Sequence, residues 1–301
     1  MPELNYGGQA VMEGVMMRGS KALAVAVRQP DGNVVIHTEP LDPRIYSGSI
    51  SKIPFLRALT SLWDALVLGI RTLIYSAGVA LEEEEEVEFS GPIAWGTVAV
   101  SFAFGIGLFF VVPLLLVGLI DRYIASSFLS NVLEGVIRMA IFVAYIAAIG
   151  QIPDIRRVFA YHGAEHKTIN AYESGAELTP EAVARYSTAH YRCGTAFLLS
   201  VMVISILVFA LLGRPPMVLR ILSRIVLIPV VAGVAYEYIK LTNRHKENRI
   251  IRILAAPNLA LQSLTTREPD ASMLEVAITA LEHVLESERV ATAPEPVVVE
   301  R

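Results

Sequence analysis

Residues 93 to 120, IAWGTVAVSFAFGIGLFFVVPLLLVGLI, carry no charge, and three further stretches come close to that pattern: 132 to 152, 195 to 213 and 218 to 238. A bilayer core of ~30 Å needs about 20 apolar residues at ~1.5 Å rise each, so all four predict transmembrane helices. Pro113 predicts a kink in the first rather than its end. Glu134 and Arg138 interrupt the second at i,i+4 spacing, an ion pair that neutralises itself near a headgroup region. Arg220 and Arg224 begin the fourth, Pro229 and Gly233 sit in its middle, and Glu237 ends it.

A different period runs through residues 53 to 81. Phe55, Leu56, Leu59, Leu62, Leu66, Ile70, Leu73 and Ile74 recur at helical spacing, while Arg57, Asp64 and Arg71 recur every seven. This predicts an amphipathic helix at the membrane interface or against the bundle, with a fifth span as the alternative. LEEEEEVE, residues 81 to 88, reads as a solvated acidic loop, its rival being a cation-binding patch. Residues 21 to 39 alternate around Pro30-Asp31-Gly32-Asn33 and predict a β-hairpin with an Asp-Gly turn. Near the end, Asp270 or Ser272 starts a helix with Leu274, Ile278, Leu281 and Leu285 on one face, and the last dozen residues lack periodicity and read as disordered. No internal repeat points to an inverted-repeat transporter.

The fold class that follows is mainly α: a polytopic membrane protein with about four transmembrane helices, an amphipathic interfacial helix and a small N-terminal β-hairpin on the cytoplasmic side. Its segments are 1–52 (glycine-rich stretch and hairpin), 53–92 (amphipathic helix and acidic loop) and 93–152 (spans one and two). They continue with 153–194 (a His-rich cytoplasmic loop), 195–238 (spans three and four), 239–288 (C-terminal region with a helix) and 289–301 (tail).

Composition strengthens the membrane reading. The chain of 301 residues is 54% hydrophobic and 18% charged, below the roughly 25% usual in soluble domains. A net charge of −4 and dispersed basic residues exclude nucleic acid as a direct ligand. The N-terminal MPELNYGGQAVMEGVMMRG is polar and glycine-rich where a signal peptide needs an apolar run, so none is expected. The connections 121–131 and 214–217 hold only Arg122 and Arg214, whereas Arg156, Arg157, Lys240, Arg244, Lys246, Arg249 and Arg252 flank the other ends of the spans. By the positive-inside rule both termini and the His-rich segment face the cytoplasm, in a bacterial inner membrane.

The candidate chemistry lies in YHGAEHKTINAYE, residues 161 to 173. On a helix His162 and His166 point the same way with Glu165 beside them. His-Gly-Ala-Glu-His fits the H-x-x-E-H pattern of inverted zinc peptidases, whose histidines hold the ion and whose glutamate accepts a proton from water. A catalytic site of this kind needs a third ligand and an open position. The order of candidates is His190, then Cys193 or Glu173, then Glu13 or Glu237. The competing reading makes His162, Glu165 and His166 a hydrogen-bonded cluster that fixes the segment to the bundle, with the single cysteine an ordinary small buried residue. His37, His245 and His283 read as surface or capping residues. The N-terminal glycines lack phosphate-loop spacing, which excludes a nucleotide site of that type.

Five ordered motifs, GGQAVMEGVMMRG, YHGAEHKTINAYE, HYRCGTAFL, PVVAGVAYEYIK and LQSLTTREPD, resemble the YqhQ-like family of bacterial membrane proteins over roughly residues 5 to 285. The resemblance carries over Gln9, Glu13, Arg18, His162, Glu165, His166, Glu173, His190, Arg192, Cys193, Glu237, Thr265, Thr266 and Arg267. Tyr191 stands where that family commonly has proline, and Asn258 where glycine commonly follows Pro257. It implies a domain of unknown function labelled a predicted metal-dependent enzyme, a label that rests on the same histidines. If the N-terminal glycines fold against the histidine segment, they permit close backbone approach and bring Glu13 within reach of an ion.

Two functions follow as expectations. The first is a metal-dependent hydrolase with Glu165 as general base, a divalent ion (zinc first) on His162, His166 and a third ligand, and a peptide or lipid-linked substrate at the cytoplasmic membrane surface. The second is a non-enzymatic accessory or scaffold protein that docks a cytoplasmic or membrane-biogenesis partner, any metal being structural. The bilayer is the expected partner in both, with a protein at the cytoplasmic face and a second copy of the chain as further partner classes. Transport is disfavoured, because two spans offer no ionisable pathway.

Overall fold

A computed structural model describes residues 6–42, 53, 56–81, 92–213 and 215–290. Most of the acidic run and the C-terminal tail lie outside the described residues.

The chain opens with an antiparallel meander, β1 Gly7–Val11, β2 Gly14–Arg18, β3 Ala22–Arg28 and β4 Val34–Pro40, in the order β1-β2-β3-β4. The β3–β4 pair is the expected hairpin, in register from Ala22↔Pro40 to Arg28↔Val34, with Gly32 at φ 92 in its turn. The β1–β2 pair was not foreseen. Its two-residue turn is Met12-Glu13, without glycine or asparagine, and Glu13 adopts φ 49, the sole non-glycine positive φ among the described residues. Nor is the sheet a surface ornament: every residue from Ala22 to Val27 is buried.

Both faces are covered. On one, Val11, Met16, Leu23 and Val25 pack against Leu68, Tyr75 and Val79 of α1, Leu56–Ala80. On the other, Val15, Met17, Ala24 and Ala26 share a core with α5, Pro153–Glu173, and α10, Ala271–Val290. Asp270 caps α10 as expected, accepting from the Met273 N–H at 3.0 Å, and Leu274, Ile278 and Leu281 are buried. The helix runs two residues into the expected tail.

The far end of α10 is fastened to the β2–β3 turn by Glu288. Its carboxylate accepts hydrogen bonds from Ser20 N (2.5 Å), Ser20 Oγ (3.0 Å), Lys21 N (2.9 Å) and Tyr6 OH (2.9 Å). Burial alone raises a carboxyl pKa, but these donors outweigh it and hold Glu288 below its ordinary value. The stability it contributes is therefore present above its unfolded pKa and lost as pH falls through the folded one. Glu288→Ala is expected to cost about 2–3 kcal/mol near neutral pH. Thermal unfolding in detergent checks this: the gap between wild type and variant should narrow as pH drops below about 4.5, and a gap independent of pH would count against it.

The apolar half begins with α2 Pro92–Ile106, a π-helical turn Gly107–Val111 and α3 Val112–Ile120. Pro113 has no N–H to close the helix onto Phe109, so the helix widens there instead of ending. α4 spans Ser127–Ile149, starting before the expected residue 132 because Ser126 caps it through Leu129 N. α6 is the short Pro180–Val183, α7 Gly194–Leu211, α8 Met217–Arg244 and α9 Arg249–Thr265. Among the described residues, three stretches are long and apolar enough to cross a membrane: Ala99–Tyr123, Ser127–Ile149 and Gly194–Leu211. The fourth expected span falls within α8.

Glu134 and Arg138 are paired as expected, Nη2 to Oε1 at 2.6 Å, and both side chains are enclosed by the bundle. Arg138 Nε also donates to the Phe109 carbonyl at 2.9 Å, the group that Pro113 leaves without a helical donor.

Candidate metal centre

The segment expected to be a His-rich loop is mostly helix. Gly150 to Ile152 break the chain after α4, and Pro153 at the first helical position restarts it, with Asp154 in the favourable first turn. From Ala160 to Ala171 nearly every residue of α5 is buried, because other elements enclose it: the sheet, α10, the strap 265–269 and the loop 184–193.

The strap crosses α5 at Gly163. A Cβ at that position would lie 2.0 Å from the Arg267 carbonyl oxygen, and Arg267 N donates to Phe159 O at 2.8 Å. Only glycine admits so close a crossing. The loop is latched from α5 side chains: Lys167 Nζ donates to Ala184 O (2.6 Å) and pairs with Glu268 (2.5 Å), while Asn170 Nδ2 donates to Ser187 O (2.8 Å). Gln262 of α9 then grips the His190 backbone twice, accepting from its N–H and donating to its carbonyl, both at 2.8 Å.

These crossings orient the two histidines. His162 Nδ1 lies 2.9 Å from Thr265 O in the strap, and His166 Nδ1 lies 2.5 Å from Thr188 O in the loop. A carbonyl can only accept, so each Nδ1 carries the hydrogen and each Nε2 is left for another partner. Cys193 is that partner for His162, with Sγ 3.2 Å from Nε2. The three ligand atoms of His162, His166 and Cys193 lie within 4.8 Å of one another.

Cys193 occupies the N-cap position of α7, with Thr195 Oγ1 3.0 Å from its sulfur. Burial pushes a thiol pKa up, yet the His162 and His166 imidazoles outweigh it and hold Cys193 well below its usual value. For His162, burial works downward and is overcome by Cys193, Glu165 and the Thr265 carbonyl, which lift it to about 9. Each of the two groups thus favours the charged form of the other. Glu165 is buried against β1: Gly8 N donates to it, and a Cβ on Gly8 would lie 2.9 Å from its Cγ. Its Oε2 is 4.0 Å from His162 Nε2, and burial raises its pKa against the pull of His166 and His162.

The remaining expected site residues stand apart from this group. His190, ranked first as third ligand, has its ring 5.6 Å from that of His166 and its Nε2 3.9 Å from Glu173. Burial lowers its pKa. Glu173 is held by Arg192, which also donates to Tyr6 O at 3.0 Å. Burial works against its charge, but His190 and Arg192 bring its pKa down to about 2. Glu13 does not join the group either: its carboxylate is taken by Arg157 at 2.6 and 2.5 Å. Glu237 lies in α8, outside it. The close approach expected of the N-terminal glycines does occur, but it brings Gly8 to Glu165 rather than Glu13 to the histidines.

Sequence reasoning missed Gly163, Thr188 and Gln262. A glycine inside an otherwise helical, polar motif was the readable signal for Gly163. Thr265 to Arg267 were noted without a role, and the geometry supplies one, as the strap over α5.

The donor set fits a small divalent ion. A tetrahedral zinc site separates a thiolate sulfur from an imidazole nitrogen by roughly 3.5 Å and two nitrogens by somewhat less. The 3.2 Å from Cys193 Sγ to His162 Nε2 is close to the first value, and all three ligand atoms lie within 4.8 Å of one another. Both histidines also have their second nitrogen fixed by an acceptor, as metal-ligating histidines generally do.

The chain is 35% identical over 295 residues to the "Uncharacterized protein YqhQ" of Bacillus subtilis (strain 168), covering 94% of this chain and 93% of that one. No solved structure matches it. Residues 53–287 match the family described as "Protein of unknown function (DUF1385)", and the chain belongs to that family.

Proposed function

We propose that the protein is a membrane-embedded, metal-dependent hydrolase whose ion is held by His162, His166 and Cys193 and whose general base is Glu165. One observation carries the reading: both Nδ1 atoms are committed to backbone carbonyls, leaving both Nε2 atoms for one locus beside the Cys193 sulfur, with a buried carboxylate at its edge. Three protein ligands leave a fourth position for reactants. A divalent ion bound there supplies Lewis-acid polarisation and makes water reactive near neutral pH. Glu165 takes the proton from the attacking water and returns it to the leaving group. Gly8 N orients its carboxylate, and the strap and loop fix the imidazoles.

The substrate reading is a peptide or lipid-linked molecule at the cytoplasmic membrane surface. Its support is placement: Cys193 directly precedes the apolar helix α7, and α5 begins four residues after the apolar helix α4 ends. We take α8 as a fourth span, which puts both termini and the centre on the cytoplasmic side, where the lysines and arginines gather. α1 stays at the interface in this reading, because Thr72 and Ser76 face the sheet, Ser76 Oγ accepting from Met12 N at 3.1 Å.

The test is elemental analysis of chelator-free, detergent-purified protein. Wild type is expected to carry near one equivalent of zinc or another transition metal, and His162→Ala/His166→Ala none. Glu165→Gln should keep the metal and lose function in cells. A folded wild type that takes up no metal even after zinc is added back would return the cluster to a structural role and leave the accessory-protein reading in its place. A fully functional Glu165→Gln protein would remove the hydrolase mechanism alone.

A further inference from the structure

The inner face of α9 builds the metal centre and its anchorage: Gln262 holds the His190 backbone, Thr265 O holds His162, and Asn258 Nδ2 donates to Ser200 Oγ in α7 at 2.8 Å. Its outer face is of another kind. Ile250, Ile253 and Leu254, at i, i+3 and i+4, are 68%, 66% and 51% exposed. Around them Lys240, Arg244, Lys246, Arg249 and Arg252 are all exposed, and none makes an ion pair among the described residues. Glu247 is the only acid between residues 239 and 267, so this turn of chain carries an excess of four positive charges in a protein of net charge −4.

We propose that α9 and the end of α8 form a binding surface for anionic phospholipids of the bilayer that holds the spans. Ile250, Ile253 and Leu254 enter the headgroup–acyl boundary, and the five basic side chains meet the lipid phosphates. Three observations favour this occupant over a soluble one. The surface is continuous with helices apolar enough to cross a membrane, since Asn258 is bonded to Ser200, six residues into α7. Tyr238 OH, donating to Leu254 O at 2.8 Å, ties the exposed stripe to α8. An aliphatic stripe rimmed by unpaired lysine and arginine matches the two layers of an anionic membrane surface, whereas a nucleic-acid backbone has no use for the stripe.

The experiment uses the full chain in mixed micelles of phosphatidylcholine and phosphatidylglycerol at equal amounts, followed by mass spectrometry of the lipid that stays bound. Wild type should enrich phosphatidylglycerol about fivefold or more, given the strength of basic side chains at an anionic surface. Replacing the five basic residues with glutamine should bring the ratio within about twofold of the bulk. Arg249→Glu/Arg252→Glu alters only two exposed side chains that make no ion pair among the described residues, so it leaves the fold in place and should lower the enrichment as well. Equal retention of the two lipids by wild type, or enrichment that survives both variants, overturns the proposal. So does displacement of phosphatidylglycerol by millimolar inorganic phosphate or by a single-stranded oligonucleotide, which would identify a soluble anion or a nucleic acid as the ligand. This inference is independent of the hydrolase reading, because lipid retention is measured without turnover or metal.

Discussion

Gly163→Ala is expected to destabilise the protein by about 3 kcal/mol or more and to abolish stable metal capture. The added methyl would sit 2.0 Å from Arg267 O, a backbone atom that cannot swing aside as a side-chain tip can. The strap holding that oxygen is fixed on both sides, by Arg267 N to Phe159 O and by Thr266 N to Gln262 O, each 2.8 Å. Relief therefore requires the strap to lift away from α5. Thr265 O lifts with it, and His162 loses the acceptor that sets its tautomer and ring angle. Loss of such an outer partner alone costs roughly 10–100-fold in metal affinity. The control is Gly78→Ala on α1, where nothing lies within 4 Å of the new methyl; it should be neutral or stabilise by up to about 1 kcal/mol. Thermal unfolding and metal content of the two variants decide the matter. A Gly163→Ala protein as stable and as metal-retentive as wild type would show that the strap does not hold the centre.

That dependence explains which parts of the site were legible. The shared direction of His162 and His166 follows from i,i+4 spacing on one helix and needs nothing else. The third member does not. His190 and Cys193 are three residues apart in one loop, and spacing favours neither. The choice is made by Gln262, 72 residues from His190, whose two hydrogen bonds hold the His190 backbone while its ring lies toward Glu173, and by α7, which begins directly after Cys193. The sheet was half legible for a related reason. Asp31-Gly32 marks the β3–β4 turn, whereas Met12-Glu13 carries no turn signature, and strands covered on both faces lose the alternation that reveals a half-exposed one.

Arg138→Met is expected to cost about 3–5 kcal/mol, because it leaves the Glu134 carboxylate buried without the guanidinium that compensates it. The same substitution takes the Nε donor from Phe109 O, the carbonyl that Pro113 cannot satisfy. Glu134→Leu/Arg138→Met should recover most of the loss, since no charge then remains to be buried and the residual penalty is about 1–3 kcal/mol for an unpaired carbonyl. A double-mutant cycle on unfolding in a fixed detergent measures the coupling directly. If the single variant loses less than about 1 kcal/mol, or if the double variant is as damaged as both singles added together, the pair is not a compensating one. The cycle also bears on transport. An ionisable pair within a span invites the reading of an ion or proton path. Here the arginine spends its hydrogen bonds on a neighbouring carboxylate and on the backbone of a proline-widened helix, so a double variant that is folded and functional would identify the pair as the stitch between two spans rather than a conduit through them.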